Sequence, residues 1–257
     1  MNRFELVKRL NAYLLNLLQV DASDVPEDFA AQRKLFRALM NICPPCELDE
    51  NFLQLQDELL SAEVRERGIV KLSDIPNVDE HIKLWRGDIT RLEVDAIVNA
   101  ANEKLLGCFV PLHGCIDNAI HSAAGLQLRN ACNRIMTTQG HDEPTGSAKI
   151  TPAFNLPSKF VLHTVGPIIP LERQPNAAEE NLLTACYESC LTLAAEKNLR
   201  SVALCCISTG EVHVPPRRAA VLAVQAVKKF LSTNALEIVF NVFTERDEKI
   251  YRDVVCR

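Results

Sequence analysis

The chain has 257 residues, of which 47% are hydrophobic and 24% are charged, and it carries a formal net charge of −5 at pH 7. This composition is ordinary for a globular protein of one or two domains, and the acidic balance disfavours a nucleic-acid-binding surface, which is usually basic. No apolar run approaches the roughly 20 residues that span a bilayer. We therefore expect no nucleic acid and no membrane among its partners.

The first part of the chain, residues 1–75, predicts a helical region. Its first segment mixes charge through the apolar positions and lacks a small-residue cleavage site, so we interpret it as a folded helix rather than a signal peptide. A second helix is expected to begin near Ser23 or Asp24 and to end at the CPPC sequence of residues 43–46. A third is expected over about 48–66. The helical spacing of the first segment is carried by Leu6, Leu10, Leu14, Leu17 and Leu18.

Cysteine usage indicates the redox environment. Ten cysteines without an export signal are typical of free thiols in a reducing compartment, so we expect a cytoplasmic location. The CPPC sequence at 43–46 is a poor match to a redox motif, because its two cysteines enclose adjacent prolines and no predicted strand flanks it. It is interpreted as a loop between helices.

From about residue 80 the hydrophobic period changes. The apolar segments HIKLW, VDAIVNA, SAKITPAF, KFVLHTV, SVALCCI and LEIVFNVF read as strands, and helical segments separate most of them. This alternation predicts a three-layer α/β/α domain over residues 76–257 with a mostly parallel central sheet. In such sheets ligands gather at the C-terminal ends of the strands.

Polar and small residues follow several of these strands. Asp88 lies in a turn, and Asn99 and Asn102 offer amides that suit sugar hydroxyls, although asparagine is equally common in turns. Residues 208–212 include a glycine and small side chains before a helix, which is typical of a phosphate-binding nest. Phe243 is placed to stack on a base or to close the core. Together these residues predict a pocket for a nucleotide-diphosphate sugar.

The stretch LLGCFVPLHGCIDNAIH, residues 105–121, contains Cys108, His113 and Cys115 within eight positions. Thiolate and imidazole are ligand types that zinc prefers, and three protein ligands leave an open coordination position that favours a functional site. Cysteines that pack or sit in turns remain the alternative to a metal site, and the absence of an export signal disfavours a disulfide. The other candidates have structural interpretations. His121 is expected to pack or to support the site, His163 to be structural, and Cys132, Cys205 and Cys206 to be buried in helix or strand.

Five motifs occur in an order that resembles the macrodomain family. Within that family, the chain resembles the zinc-containing protein-ADP-ribose hydrolases, which carry GCFVP-x-H-x-C where other members have a run of glycines and which have a helical N-terminal extension. The resemblance implies ADP-ribose as ligand and one zinc ion bound by Cys108, His113 and Cys115. The motifs are GDIT at 87–90, VDAIVNAAN at 94–102, IDNAIHSAAG at 116–125, TGSAKITPAFNLPSKFVLHTVGP at 145–167 and ISTGEVHVP at 207–215.

The resemblance also implies which residues contact the nucleotide. Asp88 is expected to accept from the adenine amino group with the Ile89 backbone beside it, and Phe243 to lie against the adenine. The chain departs from the family where many relatives have an aromatic after STG, a space that His213 is expected to fill in part. The diphosphate is expected to be bound, largely through backbone N–H groups, by Ser208, Thr209, Gly210, Glu211 and Val212.

The distal ribose is expected to lie near the predicted metal site. Asn99 and Asn102 match family asparagines, with Asn102 at the ribose, and Cys115, Ile116 and Asp117 match the loop around the ribose and diphosphate. Asn102 and Asp117 are the expected catalytic residues. Asp117 would stabilise positive charge on the ribose or accept a proton from water, while its position also fits a helix N-cap.

The resemblance therefore predicts a zinc-dependent hydrolase that removes mono-ADP-ribose from modified proteins, with acidic side chains as the expected acceptors. Zinc would either orient the ribose and polarise its oxygen, which we favour, or lower the pKa of a water molecule. The alternatives are a non-catalytic module that recognises ADP-ribosylated proteins and an esterase that acts on O-acetyl-ADP-ribose.

Overall fold

The computed structural model describes residues 1–21, 25–170, 173–208 and 214–256. Within these ranges no helix is both long and apolar enough to cross a bilayer. The helices are α1 (Arg3–Leu18), α2 (Phe29–Ile42), α3 (Glu50–Arg67), α4 (Ile116–Ala124), α5 (Leu126–Gln139), α6 (Ala177–Glu196), α7 (Pro216–Leu231) and α8 (Glu245–Val255). The strands are β1 (Val70–Lys71), β2 (Asn77–Asp79), β3 (Ile82–Arg86), β4 (Leu92–Glu93), β5 (Ala96–Ala101), β6 (Ala148–Pro152), β7 (Phe160–Val165), β8 (Ser201–Leu204) and β9 (Glu237–Val242).

A seven-stranded sheet forms the centre of the α/β domain. Its strand order is β2-β3-β9-β8-β5-β7-β6, and only the outer pairs β2/β3 and β6/β7 are antiparallel. The inner strands are mostly apolar and buried, as expected for parallel strands covered on both faces by helices. The predicted three-layer architecture with a mostly parallel sheet and a preceding helical region is confirmed.

The helical region has a core of its own, built mainly from α1, α2 and α3 and completed by Leu126 of α5. The α/β core in turn begins with Val70, Leu72 and Ile75, and β1 pairs in parallel with β4. Helices α2 and α3 both contact α4. The two regions therefore share an extended interface in which side chains of one complete the packing of the other.

Two predicted elements differ from the structure. Helix α2 starts after Asp28, whose carboxylate accepts from the Ala31 N–H and so takes the capping role expected of Ser23 or Asp24, which lie outside the described residues. The sequence predicts one helical segment over residues 118–136, but it is broken at Gly125, where φ is +96° and the side chains of Gln56 of α3 and Gln127 of α5 occupy the space of a Cβ atom.

The functional edge of the sheet follows from the strand directions. Strands β5, β7, β8 and β9 are mutually parallel neighbours, so the segments that follow them emerge on one side. Strand β8 ends at Leu204, so the predicted strand position of Cys205 and Cys206 is wrong and both follow the strand into this edge, although Cys205 is buried as predicted. The physical reason is that the backbone turns after Leu204, where the Ile207 N–H donates to the Cys205 carbonyl.

Candidate functional site

A cavity of about 580 Å³ opens at the C-terminal edge of the parallel strands. It is bounded by the segments that follow β5, β7, β8 and β9 and by the start of α4, as the strand directions require. Predicted site residues in its wall are Asn102, Cys108, His113, Cys115, Ile116, Asp117, Ser208 and Phe243. The sequence-based selection therefore converges on one cavity from four separate parts of the chain.

The three predicted metal ligands come together in this wall. The Cys108 Sγ lies 3.6 Å from Nδ1 of His113, and the potential ligand atoms of Cys108, His113 and Cys115 all lie within 4.8 Å of one another. All three residues are half-buried and line the cavity. Two sulfurs and one imidazole at this separation match the ligand preferences of zinc.

The electrostatics of this group also fit a cation. Burial raises the pKa of the Cys115 thiol to about 11, and Cys108 and Asp117 raise it as well, whereas the hydrogen bond from the Asn118 N–H lowers it. Cys115 is the N-cap of α4, where the positive end of the helix dipole favours a thiolate. A divalent ion between the sulfurs would remove the repulsion between them, so the residues present suit a bound zinc ion.

The segment of residues 105–115, here called the ligand loop, has an unusual backbone. Leu105 has a φ of +56° and Leu112 has a φ of +59°, a left-handed conformation that is costly for leucine. The Asn102 amide donates to the Gly107 carbonyl at 3.2 Å, so Asn102 both lines the cavity and fixes the start of the loop. At Gly107, where φ is +82°, a Cβ atom would lie 2.8 Å from the His121 ring.

Asp117 is the second residue of α4 and is not its N-cap, because Cys115 holds that position. Its carboxylate is buried at the cavity wall, where Oδ1 accepts from the Asn99 amide at 2.8 Å. Burial raises the pKa of Asp117 to about 6, an effect that the Asn99 hydrogen bond partly offsets. The N-cap interpretation is therefore wrong, and the placement of the carboxylate suits chemistry in the cavity.

Asn99 does not belong to the described wall of the cavity, contrary to the expectation that it contacts ADP-ribose. It is fully buried on β5, and its Nδ2 also lies 3.2 Å from Nδ1 of His163. His163 in turn contacts the Thr151 hydroxyl through Nε2 at 2.9 Å. Asn99 is thus one member of a buried chain of polar groups that orients Asp117 from behind.

A second group of potential metal ligands lies in the same buried region. The ligand atoms of His121, Cys132 and His163 also lie within 4.8 Å of one another, but all three residues are buried and none is among the described lining residues. Burial lowers the pKa of His163 to about 3 and that of His121 well below its usual value. Neither ring nitrogen of His121 has a hydrogen-bond partner among the described residues. The structural interpretation of His163 agrees with this placement.

The predicted adenine residues divide between two cavities. Phe243 is 77% exposed and lines the 580 Å³ cavity, whereas Asp88 lines a neighbouring one and pairs with Nη1 of Arg67 at 2.8 Å. Ile89 is buried in the core and belongs to neither described wall. Asp88 and Ile89 stay close to the end of β9, because the Gly87 N–H donates to the carbonyl of Val242, the residue before Phe243, at 2.9 Å.

The predicted phosphate loop is described only at its start and end. Ser208 has a φ of +60° and lines the cavity, and its carbonyl accepts from the Val214 N–H at 2.8 Å. The Tyr187 hydroxyl accepts from the Ile207 N–H and fixes the base of the loop. Thr209, Gly210, Glu211, Val212 and His213 lie outside the described residues.

Sequence reasoning missed several polar residues of the site. Asn241, Glu103 and Asp247 line the cavity, and Asn241 donates to the Gly87 carbonyl at 3.0 Å. Asn241 carried a usable signal, because it is a polar residue within the otherwise apolar run IVFNV of residues 238–242. Arg37 and Asn41, which reach the ligand loop from α2, carried none.

Comparison with known proteins identifies related sequences and structures. The Macro domain family model matches residues 98–223. The protein-ADP-ribose hydrolase of Treponema medium is 50% identical over 239 residues, covering 90% of each chain, and that of Staphylococcus aureus strain MRSA252 is 41% identical, covering 95% of this chain and 94% of the relative.

Among solved structures, the Trypanosoma brucei macrodomain in complex with ADP-ribose has a TM-score of 0.66 and 31% identity, covering 85% of this chain and 94% of that one. The Oceanobacillus iheyensis macrodomain with ADP has a TM-score of 0.62 and 39% identity, covering 70% of this chain and 93% of that one.

Proposed function

The chain belongs to the macrodomain family, and from that premise we propose that it is a zinc-dependent hydrolase that removes mono-ADP-ribose from modified proteins. The observation that carries the proposal is that Cys108, His113 and Cys115 share one cavity wall with Asn102 and Asp117. A cavity that only recognises ADP-ribose does not need a group of soft metal ligands beside a buried carboxylate. The relatives named protein-ADP-ribose hydrolase support the same conclusion.

The order of residues along the sheet edge matches the order of groups in ADP-ribose. Phe243 follows β9, Ser208 follows β8, and Asn102 follows β5, and these three strands are adjacent in the sheet. Adjacent strands lie about 4.8 Å apart, so the three positions span roughly 10 Å. We assign adenine to Phe243, the diphosphate to the loop that begins at Ser208, and the distal ribose to Asn102 and the ligand loop. Asp88 contributes at the adenine end only if ADP-ribose displaces Arg67 from it.

Cys108, His113 and Cys115 are the residues that would bind the zinc ion. When bound, zinc supplies a Lewis acid that orients the distal ribose and polarises its oxygen. Asn102 fixes the start of the ligand loop and presents its amide to the same part of the cavity. The protein thereby positions the anomeric carbon near the Asp117 carboxylate, which is also in this wall.

Asp117 performs the charge stabilisation and the proton transfer. When the bond between the anomeric carbon and the acceptor oxygen breaks, positive charge builds on the ribose and the leaving oxygen keeps the bonding electrons. The buried carboxylate stabilises that charge, a water molecule adds to the anomeric carbon, and Asp117 accepts the proton of the water. Asn99 holds the carboxylate in place through its amide, which is a positioning role.

Acidic side chains are the acceptors that this site suits best. A carboxylate leaves with a negative charge that water stabilises, so cleavage of an ester to Asp or Glu requires no strong general acid in the pocket. The lining includes the carboxylic acids Glu103, Asp117 and Asp247, and the mechanism assigns the base role to Asp117. An amine or guanidine leaving group would require a proton donor as well.

The test combines elemental analysis with a demodification assay on the full chain. We expect one zinc ion per chain, release of ADP-ribose from a protein modified on glutamate, loss of that activity after chelation and its return with added zinc. Proteins modified on serine or arginine serve as the comparison and should remain modified. Active protein that contains no zinc would overturn the metal assignment, and tight ADP-ribose binding without turnover would identify a reader instead.

The cellular location and the domain division belong to the same proposal. The ten cysteines are free, and two of them are proposed ligands. The protein therefore requires a compartment that keeps thiols reduced, which supports a cytoplasmic location. We divide the chain into a helical region, residues 1–75, and a macrodomain, residues 76–257. Two hydrophobic cores support the division into two regions, although Val70, Leu72 and Ile75 pack in the α/β core and Leu126 packs in the helical one.

A further inference from the structure

The ligand loop is bonded to a helix that lies far from it in the sequence. The Leu112 N–H donates to Oδ1 of Asn41 on α2 at 2.9 Å, directly at the residue whose φ of +59° is unfavourable for leucine. Leu112 immediately precedes the proposed ligand His113. An external acceptor therefore satisfies the backbone at the strained position beside a metal ligand.

Arg37, one helical turn before Asn41, makes a second connection. Its Nη2 donates to Oδ1 of Asn118 at 2.9 Å and approaches the carbonyl of His113 at 3.4 Å. Asn118 is fully buried, and its own Nδ2 donates to the Val110 carbonyl at 3.0 Å. Its backbone N–H donates to the Cys115 sulfur at 3.4 Å. Arg37 thus contacts the His113 carbonyl directly and, through Asn118, is connected to the Val110 carbonyl and to the Cys115 sulfur.

The two connections close into one network. The Asn41 Nδ2 donates to the Ser122 hydroxyl at 3.0 Å, and that hydroxyl donates to Oδ1 of Asn118 at 3.2 Å. Asn41, Asn118 and Ser122 are all buried, so an unmade hydrogen bond among them would leave a buried polar group without a partner. The network joins α2, α4 and the ligand loop into a single polar cluster.

A third contact fixes the entrance of the loop to the end of the same helix. Arg129 of α5 is buried and donates through Nε to the Leu106 carbonyl at 2.7 Å and through Nη1 to the Met40 carbonyl at 2.8 Å. It also donates to the Cys43 carbonyl, just beyond the end of α2. The Arg129 guanidinium stacks over the Phe109 ring at 4.3 Å. Both halves of the ligand loop are therefore tied to α2.

We propose that helix α2 positions the ligands of the metal centre. Its residues Arg37 and Asn41, together called the α2 brace, hold His113 and Cys115 in the geometry that binds the ion. This inference rests on the proposed function, because it concerns the same Cys108, His113 and Cys115 group. It assigns a role to the helical region that composition and periodicity did not indicate. Arg37 and Asn41 are positioning residues, since they act through the loop backbone and Asn118.

The physical basis is the cost of ordering the loop. Left-handed backbone is unfavourable at a non-glycine residue, and the loop has no regular secondary structure to offset this at Leu112. Without the α2 brace the loop would leave this conformation, and the metal would then have to order it again on binding. Groups that support metal ligands in this way change metal affinity by about 10- to 100-fold.

The test uses full-length Asn41→Ala and Arg37→Met, with Gln127→Ala as the matched control. Gln127 also bonds α5 to the helical region, through Gln56 and Asp57 at 2.6 and 2.7 Å, and touches no residue of the ligand loop in these contacts. Zinc affinity is measured by competition with a chelator, and the ligand geometry by the visible absorption spectrum of the cobalt-substituted protein. Thermal unfolding of the metal-free proteins reports any general loss of stability.

We expect Asn41→Ala and Arg37→Met each to weaken zinc binding by about 10- to 100-fold and to change the cobalt spectrum. Gln127→Ala should lower the unfolding temperature while leaving zinc affinity and the cobalt spectrum unchanged. Arg37→Lys keeps one donor and should recover part of the affinity that Arg37→Met loses. Arg37 is only half-buried, so its variants keep the test decisive even if Asn41→Ala does not fold.

Two results would count against the proposals, and they differ. Wild-type affinity and spectrum in both brace variants would overturn the role of α2 while leaving the zinc site intact. Absence of metal binding in the wild-type protein would overturn the zinc site itself, and the brace with it.

Discussion

Among the residues that the structure describes, two groups of cysteine and histidine have spacing suited to a metal, and they differ in what surrounds them. Cys108, His113 and Cys115 line the cavity from the irregular ligand loop. The second group, His121, Cys132 and His163, is buried among helices and strand, and both ring nitrogens of His163 contact protein groups, Asn99 and Thr151. Residue type and proximity are alike in the two groups, so access to the cavity distinguishes the proposed ligand set from the buried cluster.

The comparison also shows how the two groups cooperate. Asp117 lies between them, since it is two residues from Cys115 and accepts from Asn99, which contacts His163. The buried group orients the carboxylate, and the loop group is proposed to bind the ion that orients the ribose. Placing the neutral histidines behind the carboxylate gives a rigid support that the ligand loop alone does not provide.

The largest expected effect is on zinc content and hydrolysis, and it distinguishes the loop group of cysteine and histidine from the buried group. Cys115→Ala should reduce zinc content from one ion per chain to near zero and lower hydrolysis by at least about 100-fold, because a thiolate ligand is lost. Cys132→Ala, the matched change in the buried group, should retain zinc and most activity while destabilising the fold by about 1–2 kcal/mol. Elemental analysis and the demodification assay measure both. Full turnover by Cys115→Ala would show that the loop group is not the metal site.

The next effect concerns the carboxylate between the groups. Asp117→Asn should lower kcat by about 10²- to 10⁴-fold with zinc content unchanged, because the amide cannot accept the proton of water. Asp247 also lines the cavity and bonds Thr244 at the start of α8, so Asp247→Asn is the matched control and should keep near-wild-type kcat. Equal losses in the two variants would indicate that charge in the cavity, rather than the position of Asp117, is what matters.

A smaller effect concerns the free energy of unfolding, and it depends on the buried group of His121, Cys132 and His163. The pKa of His163 is lowered to about 3 by burial, against 6.5 for the ordinary group, so the unfolded chain binds more protons than the folded one between these values. The contribution of His163 to the free energy of unfolding is therefore fully present above pH 6.5. It falls by about 1.4 kcal/mol for each pH unit below that value. The raised pKa of Asp117, about 6, acts in the opposite direction, so the wild-type slope is a net value.

A variant isolates the histidine contribution. We expect His163→Gln to gain stability relative to the wild type by about 1.4 kcal/mol for each pH unit below 6.5, or about 3 kcal/mol at pH 4.5. Urea unfolding of both proteins in the presence of a chelator measures this difference without a contribution from metal binding. A constant difference between the two proteins from pH 7 to 4.5 would mean that His163 binds its proton as readily in the folded protein as in the unfolded chain, which would contradict the lowered pKa.

The sequence predicted the residues of the cavity wall better than it predicted the residues that support them. The convergence of the strand ends was predictable because parallel strands bring distant loops to one edge. The proximity of Cys108, His113 and Cys115, the proposed ligands, was predictable because they lie within eight positions of sequence. Asn99 was misplaced because motif position does not show whether a strand residue faces the cavity or the interior. Arg37 and Asn41 were invisible because their contacts span 81 and 71 residues, and on an amphipathic helix they resemble ordinary polar-face residues.

The smallest expected effect is on ADP-ribose affinity and concerns Phe243, at the end of the cavity away from both groups of cysteine and histidine. Phe243→Ala should weaken ADP-ribose binding by about 0.5–1.5 kcal/mol, or roughly 2- to 12-fold, because an exposed ring contributes stacking on one face of the adenine only. Zinc content and cobalt spectrum should not change, since the residue follows β9 and the ligand loop follows β5.

Isothermal titration calorimetry measures the affinity, and Phe154→Ala, another exposed phenylalanine outside the described cavity wall, is the control. Unchanged affinity would place the adenine elsewhere, with the neighbouring cavity of Asp88 and Arg67 as the next position to test.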